Sequence, residues 1–295
     1  MPVNDNNEIV VLHHVRTHIW HYGKRESQPI VMVHGFRGDH HGLEAIALAM
    51  VRIDPTCHVV IADLPGFGES FVQSTDELSL AFFAGWLEAL VAYVRGEVHQ
   101  NVALLGHSFG SLIVSLAISQ GLSASKVVLV NPISTPALEG PQLIMTKLAI
   151  AYYAVSNRLP ESLARAMLSQ PAIVRVMSEF MAKTKNRELR RKIHAEHKAY
   201  FSSFQDSSRL LQAFRASVSH TVTEYAESFD MPTLILAGDR DDIAPLTGQQ
   251  ELANRITQST LHIAPSVGHL IHYEAHDWAA PQIVAFMQQP EDDQS

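Results

Sequence analysis

Cysteine is almost absent: Cys57 is the single one in 295 residues. That excludes an internal disulfide and a thiolate-based metal site, and it fits a reducing compartment. Cations are scarce as well. Lys and Arg number 22 against 30 Asp and Glu, a net charge of −8. Neutralising phosphates takes clustered Lys and Arg, so general nucleic-acid binding is excluded. No run approaches the roughly 20 apolar residues of a membrane helix, and no stable membrane insertion is expected. The start, Met1-Pro2-Val3-Asn4-Asp5-Asn6-Asn7-Glu8, lacks the basic end and apolar stretch of a secretory signal, so a cytoplasmic location is the expectation. Pro290 to Ser295 reads as a solvated acidic tail. Neither an internal repeat nor a low-complexity tract occurs. Histidine is the exception to scarcity, with 17. No His-Glu-x-x-His pair and no Cys/His set accompanies them. His13, His14, His18 and His21 fall in what reads as a first hairpin, and His40 and His41 in a loop. We read them as surface or half-buried imidazoles and expect neither metal nor cofactor.

What the chain does have is apolar content of 46% with 18% charged residues, which suits a globular protein with a sizeable core. The length accommodates one large α/β domain or a domain with an insertion. The informative stretch is Leu104-Leu105-Gly106-His107-Ser108-Phe109-Gly110-Ser111. Val102 to Leu105 reads as a buried strand, and Leu112 to Ile118 as a buried helix. A serine in so tight a strand-to-helix turn needs small residues two before and two after it, because the helix doubles back against the strand. Gly106 and Gly110 supply them. The hydroxyl is then held above a sheet edge, beside the free N–H groups of a helix N-terminus, the first being that of Phe109. This is a nucleophile elbow pattern.

The flanking elements alternate. Glu8 to Tyr22 carries two strands, Pro29 to Val33 is a strand buried on both faces, and Leu43 to Val51 is helical. Cys57 to Ala62 is a strand, Leu78 to Val94 a helix, and Lys126 to Asn131 the strand after the elbow helix. This order implies a doubly wound parallel sheet. The strand at Val33 ends in His34-Gly35-Phe36-Arg37-Gly38, where glycine lets the Phe36 N–H turn into a cavity as a second oxyanion donor. Asp63 opens the Gly- and Pro-rich loop to Ser70, and we read it as a structural acceptor of backbone N–H groups.

From Pro132 to about Asp230 no strand-like run appears. Helices are expected over Gln142–Asn157, Glu161–Ser169, Pro171–Lys183, Arg187–Phe204 and Ser207–Ser219. An all-helical insertion at this place reads as a cap over the strand ends. Met145, Tyr152, Tyr153, Met167, Met177, Phe180, Met181, Phe201 and Phe204 are its apolar payload, some of it lining the cavity beneath. Seven basic residues stand against two acidic ones between Lys183 and Lys198, which we read as a solvated helix face. His194 and His197, three apart on that helix, have no carboxylate partner in the sequence pattern and do not indicate a metal. Strands resume at Met231–Ala237 and Thr260–Ala264, with helices at Gln249–Ile256 and Trp278–Gln288.

Two loops after these strands carry the remaining chemistry. Gly238-Asp239-Arg240-Asp241-Asp242 offers a carboxylate, and Pro265-Ser266-Val267-Gly268-His269 an imidazole. Ends of parallel strands share one edge, so both can converge on Ser108. A serine needs an adjacent base, and the base needs a carboxylate to fix its tautomer. These motifs, with His34-Gly35-Phe36 and Asp63-Leu64-Pro65-Gly66-Phe67-Gly68-Glu69-Ser70, resemble those of the α/β-hydrolase superfamily, over about residues 8–132 and 230–288. The resemblance implies a mostly parallel, doubly wound eight-stranded sheet with a helical cap insertion. The core would be 1–132 and 230–295, and the cap 133–229. It also selects Asp241 as the acid, beside Ser108 as nucleophile, His269 as base, and Phe36 and Phe109 as oxyanion donors. Asn131 stands where some relatives carry the acid. His107, next to the nucleophile, is expected to point away from it. Ser108 in place of an aspartate sets the chain apart from haloalkane dehalogenases and epoxide hydrolases of this fold.

The expected function is a cofactor-free serine hydrolase with an acyl-enzyme, acting on a small to medium apolar carboxylic ester. Acyl transfer, thioester or C–C hydrolysis and cofactor-free perhydrolysis would use the same residues. A ligand-binding receptor on this fold is the alternative of another class, and the complete residue set argues against it.

Overall fold

The computed structural model describes residues 7–98, 101–137 and 143–290, with the side chains of 144 and 145 left aside. The polar start before Asn7, the acidic tail after Pro290, and Gln142, Ile144 and Met145 as packing residues lie outside the described residues.

Among the described residues, nine strands form one sheet: β1 Asn7–Leu12, β2 Val15–Gly23, β3 Pro29–Val33, β4 His58–Ala62, β5 Phe71–Val72, β6 Ala103–His107, β7 Val127–Val130, β8 Thr233–Gly238 and β9 Ser259–Ala264. Eight lie in line as β1-β2-β4-β3-β6-β7-β8-β9, and the two-residue β5 adds to β2. β2 is antiparallel to β1, β4 and β5, and every pair from β4 to β9 is parallel. β3, β4, β6, β7 and β8 are buried along their whole length, as strands covered on both faces must be. Side-chain alternation splits the core in two. Val31 and Val33 pack with α2 Leu80–Val98 and α3 Phe109–Ser119, while Ile30 and Met32 face α1 His40–Ile53 and α11 His276–Met287.

Among the described residues, five α-helices separate β7 from β8: α4 Leu143–Ser156, α5 Glu161–Leu168, α6 Pro171–Met181, α7 Arg187–Tyr200 and α8 Ser207–Ser217. Their starts follow local rules. Pro171 opens α6, Asn186 accepts the Glu188 and Leu189 N–H groups at the start of α7, and Asp206 accepts that of Arg209 at the start of α8. The remaining helices are α9 Leu246–Arg255 and the one-turn α10 Ile271–Glu274.

Two expectations need correction. His40 and His41 are not in a loop but in the first turn of α1, because the Asp39 carboxylate caps the helix by accepting the His41 N–H. The stretch expected to be helical through Phe204 stops at Tyr200, since Phe204 and Gln205 leave the helix to contact the Gly66–Phe67 loop. β5, the 3-10 turn Val222–Ser228 and α10 are too short to show a periodicity. No helix among the described residues is long and apolar enough to cross a membrane.

Candidate active site

Ser108 sits between β6 and α3 with φ 51° and ψ −117°, a conformation that stores backbone strain. The two glycines make it sterically possible. A Cβ at Gly106 would come within 2.7 Å of the Gly110 oxygen and the Ser111 Cα. A Cβ at Gly110 would lie 2.1 Å from the Val33 oxygen, so no other residue lets α3 approach β3 so closely.

The loops after β8 and β9 meet this turn. Ser108 Oγ lies 2.7 Å from His269 Nε2, and His269 Nδ1 lies 2.7 Å from Asp241 Oδ2. A carboxylate only accepts, so the imidazole carries its proton on Nδ1 and offers a lone pair to the serine. Asp241 is buried, while Asp239 and Asp242 are exposed. Asp242 instead pairs with Lys183, between α6 and α7. Of the three aspartates, Asp241 is the one brought to His269. Its Oδ1 accepts the N–H groups of Ile243 and Ala244 at 2.8 and 2.9 Å. Asn131 Nδ2 donates to its Oδ2 at 2.9 Å and to the Gly268 oxygen at 3.2 Å. Burial alone would push the Asp241 carboxyl up. The facing His269 and its hydrogen bond, with those two N–H groups, outweigh burial and hold it below the usual carboxylate range.

The His34–Gly38 loop runs beside the serine: a Cβ at Gly35 would lie 3.2 Å from Ser108 Cβ. The structure thus brings Phe36 to the site, and Phe109 is the first residue of α3, with an N–H outside the helical ladder. His107 points the other way, its Nε2 3.3 Å from the His269 oxygen, and burial lowers its pKa to about 3. Asp63 accepts from the His40 and Glu69 N–H groups, in the structural role expected of it.

A cavity of about 560 Å³ opens over Ser108. Met177, Phe180, Met181, Phe201 and Phe214 of the insertion line it, together with Phe36 and Leu270. Tyr153 and Phe204 belong to the core instead, and Tyr152 gives its hydroxyl to the Met167 oxygen. Four residues had no role at the site assigned from the sequence. Asn131 positions the carboxylate. Arg37 reaches from the loop beside Ser108 into the insertion and donates to the Phe201 and Leu168 oxygens, each at 2.9 Å. It is only 2% exposed, and a buried arginine leaves no periodic trace in a sequence. His272 and His197 also line the cavity. The short spacing of His194 and His197 was a hint of the latter, and nothing in the sequence marked His272.

Among the described residues, Asp39, His40 and His41 have ligand atoms close enough to converge on a metal. The His40 and His41 Nδ1 atoms are already engaged by Asp63 and Asp39, each at 3.1 Å. Their rings join a stack, Trp20–His40–His41–Tyr200, with centroids 3.4, 3.9 and 3.9 Å apart, that ties α7 to α1 and β2.

Comparison with known proteins gives the same neighbourhood throughout. The sequence model described as "Alpha/beta hydrolase family" matches residues 30–282. The dihydrolipoyllysine-residue acetyltransferase component of the acetoin cleaving system of Pseudomonas putida is 26% identical over 276 residues. The match takes in 90% of this chain but spans 65% of that relative's length. Bromoperoxidase from Bacillus anthracis superposes with a TM-score of 0.78 at 18% identity, covering 96% of this chain and 100% of that one. An esterase from Exiguobacterium antarcticum gives 0.77 at 16% identity, covering 95% and 99%.

Proposed function

The chain belongs to the alpha/beta hydrolase family, and we propose that within it this protein is a serine hydrolase of carboxylic esters, with Ser108 as nucleophile. The observation that carries this reading is the unbroken chain Ser108 Oγ–His269–Asp241, at 2.7 Å per link, on a strained turn under an apolar cavity. His269 Nε2 takes the serine proton as Oγ attacks the ester carbonyl. The N–H groups of Phe36 and Phe109 hold the oxyanion, each worth on the order of 3 kcal/mol of barrier. The imidazolium returns its proton to the departing alkoxide, leaving an acyl-enzyme. Water, deprotonated by the same nitrogen, then releases the acid. Asp241 stabilises the imidazolium in both halves. The insertion 133–229, which carries α4 to α8, acts as a cap on a core of 1–132 and 230–295, and Arg37 fastens the one to the other. The apolar wall favours a small to medium apolar acyl or alcohol group.

The test is a series of p-nitrophenyl esters of increasing chain length, with wild type beside Ser108→Ala and Asp241→Asn. The reading expects kcat to fall by at least about 10³-fold in Ser108→Ala and about 10³–10⁴-fold in Asp241→Asn. Turnover that survives Ser108→Ala would contradict it.

A further inference from the structure

Two buried side chains stand behind the peptides read above as oxyanion donors. A trans peptide is planar, and its C=O and N–H point in opposite directions. Whatever holds the carbonyl therefore sets the direction of the N–H. The Phe36 N–H shares its peptide with the Gly35 carbonyl, and the Phe109 N–H shares its own with the Ser108 carbonyl. Among the described residues neither N–H has an acceptor, while both carbonyls accept twice.

The Gly35 oxygen accepts from the Gly38 N–H at 3.1 Å and faces His34 Nδ1 at 2.9 Å. Proton counting fixes the imidazole. The Leu64 N–H can only donate, and it lies 2.9 Å from His34 Nε2. That nitrogen is a lone pair, so the one proton of the neutral ring is on Nδ1 and goes to the Gly35 oxygen. His34 is 1% exposed, and burial lowers its pKa, which keeps the ring in this form.

The Ser108 oxygen accepts the Ser111 N–H at 2.9 Å and the Ser111 hydroxyl at 2.5 Å. The direction of this hydroxyl is fixed as well. The Ile133 N–H donates to Ser111 Oγ at 3.2 Å, and the single hydroxyl proton is left for the carbonyl, which only accepts. A serine bonded to a carbonyl three residues back is common on helices. Here, however, that carbonyl belongs to the strained Ser108, whose ψ of −117° lies outside the helix. Each of these bonds also polarises its peptide and strengthens the opposite N–H as a donor.

We propose that His34 and Ser111 are positioning residues of the oxyanion hole: the His34 Nδ1–H and the Ser111 hydroxyl hold the Gly35 and Ser108 carbonyls, and so aim the Phe36 and Phe109 N–H groups at the developing oxyanion. The inference rests on the serine-hydrolase reading. Both residues act through a backbone peptide, so their effect is on the transition state and not on binding of the ester.

The experiment sets kcat/KM for p-nitrophenyl hexanoate beside Ki for 1,1,1-trifluoroheptan-2-one. Ser108 Oγ adds to the carbonyl carbon of this ketone, His269 takes the proton, and the ketone oxygen becomes an oxyanion. Asparagine can place an N–H where His34 Nδ1 stands but does not reach Leu64. Glutamine reaches Leu64 but puts no donor at the Nδ1 position. kcat/KM should fall about tenfold or more in His34→Gln and Ser111→Ala and stay within about threefold in His34→Asn. Ki for the ketone should rise in step with each fall. Calorimetric Kd for methyl hexanoate, with Ser108→Ala added to each variant, should not move. A loss in His34→Asn as large as in His34→Gln overturns the proposal, because the Leu64 contact would then be what matters. Folded Ser111→Ala with wild-type kcat/KM and Ki, or with a loss that appears equally in Kd, overturns it too. Ser111→Ala removes a single oxygen and carries the test alone should the His34 variants misfold. All these outcomes leave Ser108-dependent turnover, and the hydrolase reading, standing. If wild type turns over no ester through Ser108, that reading falls and the proposal with it.

Discussion

At the scale of single residues, the site depends on groups that never touch substrate. Asn131 holds Asp241 from the end of β7 in a left-handed conformation, φ 45°, that asparagine tolerates better than most residues. Asn131→Ala removes a donor from a buried carboxylate. A hydrogen bond to a charged group is worth about 1.5–3 kcal/mol, so kcat/KM should fall about tenfold or more in steady-state assays, with the protein still folded. Unchanged kinetics would mean that the backbone N–H groups of Ile243 and Ala244 suffice. Ser108, His269 and the competing aspartates were all legible in the sequence, because each follows a strand and carries reactive chemistry. The choice among Asp239, Asp241 and Asp242 was not legible from the residues themselves. It depends on which side chain turns inward, and that is a property of the loop's backbone.

At the scale of elements, steric necessity at the β6–α3 turn gives a sharp contrast. Gly110→Ala would drive a Cβ into the Val33 oxygen and should cost about 3 kcal/mol or more, read by urea denaturation. Gly96 in α2 is exposed, and a Cβ there meets nothing within 4 Å. Gly96→Ala should stabilise by roughly 0.5–1 kcal/mol. Equal effects of the two would show that close approach is not what fixes Gly110. Strands β3, β4, β6, β7 and β8 were legible because burial on both faces leaves continuous apolar runs. The start of α1 was misplaced because its first turn is His40-His41, and only the Asp39 carboxylate marks the true beginning. Arg37 extends the same lesson to contacts between elements. Arg37→Met leaves the Phe201 and Leu168 oxygens without their donor. Proteolysis within residues 133–229 should be faster in that variant, and cleavage at the wild-type rate would show that α4 to α8 are held by other contacts.

At the scale of the whole molecule, the histidines make stability acid-sensitive. Burial brings the pKa of His107 and of His197 to about 3 from an ordinary 6.5, and pushes His272 well below its ordinary value. Between about pH 3 and 6.5 the unfolded chain binds protons at these rings that the folded one refuses. Stability is therefore complete above 6.5 and is lost as pH falls, by about 1.4 kcal/mol per pH unit for each ring. Asp241, held low in the fold, acts in the same direction at lower pH. Calorimetric Tm should drop from pH 7 to pH 5, and less steeply in His107→Gln; a flat Tm over that range would contradict the buried neutral rings. The fold class and the helical insertion were readable because alternation of strands and helices survives at this scale. The contacts among α6, α7 and α10 were not, since they join side chains far apart in sequence. The claim on which everything else depends is that Ser108 is an activated nucleophile. Its most direct test is labelling with a fluorophosphonate probe, followed by peptide mass spectrometry. The account predicts a single adduct on Ser108 that disappears in Ser108→Ala and forms far more slowly in Asp241→Asn. A folded wild-type protein that takes no label at Ser108 would contradict it.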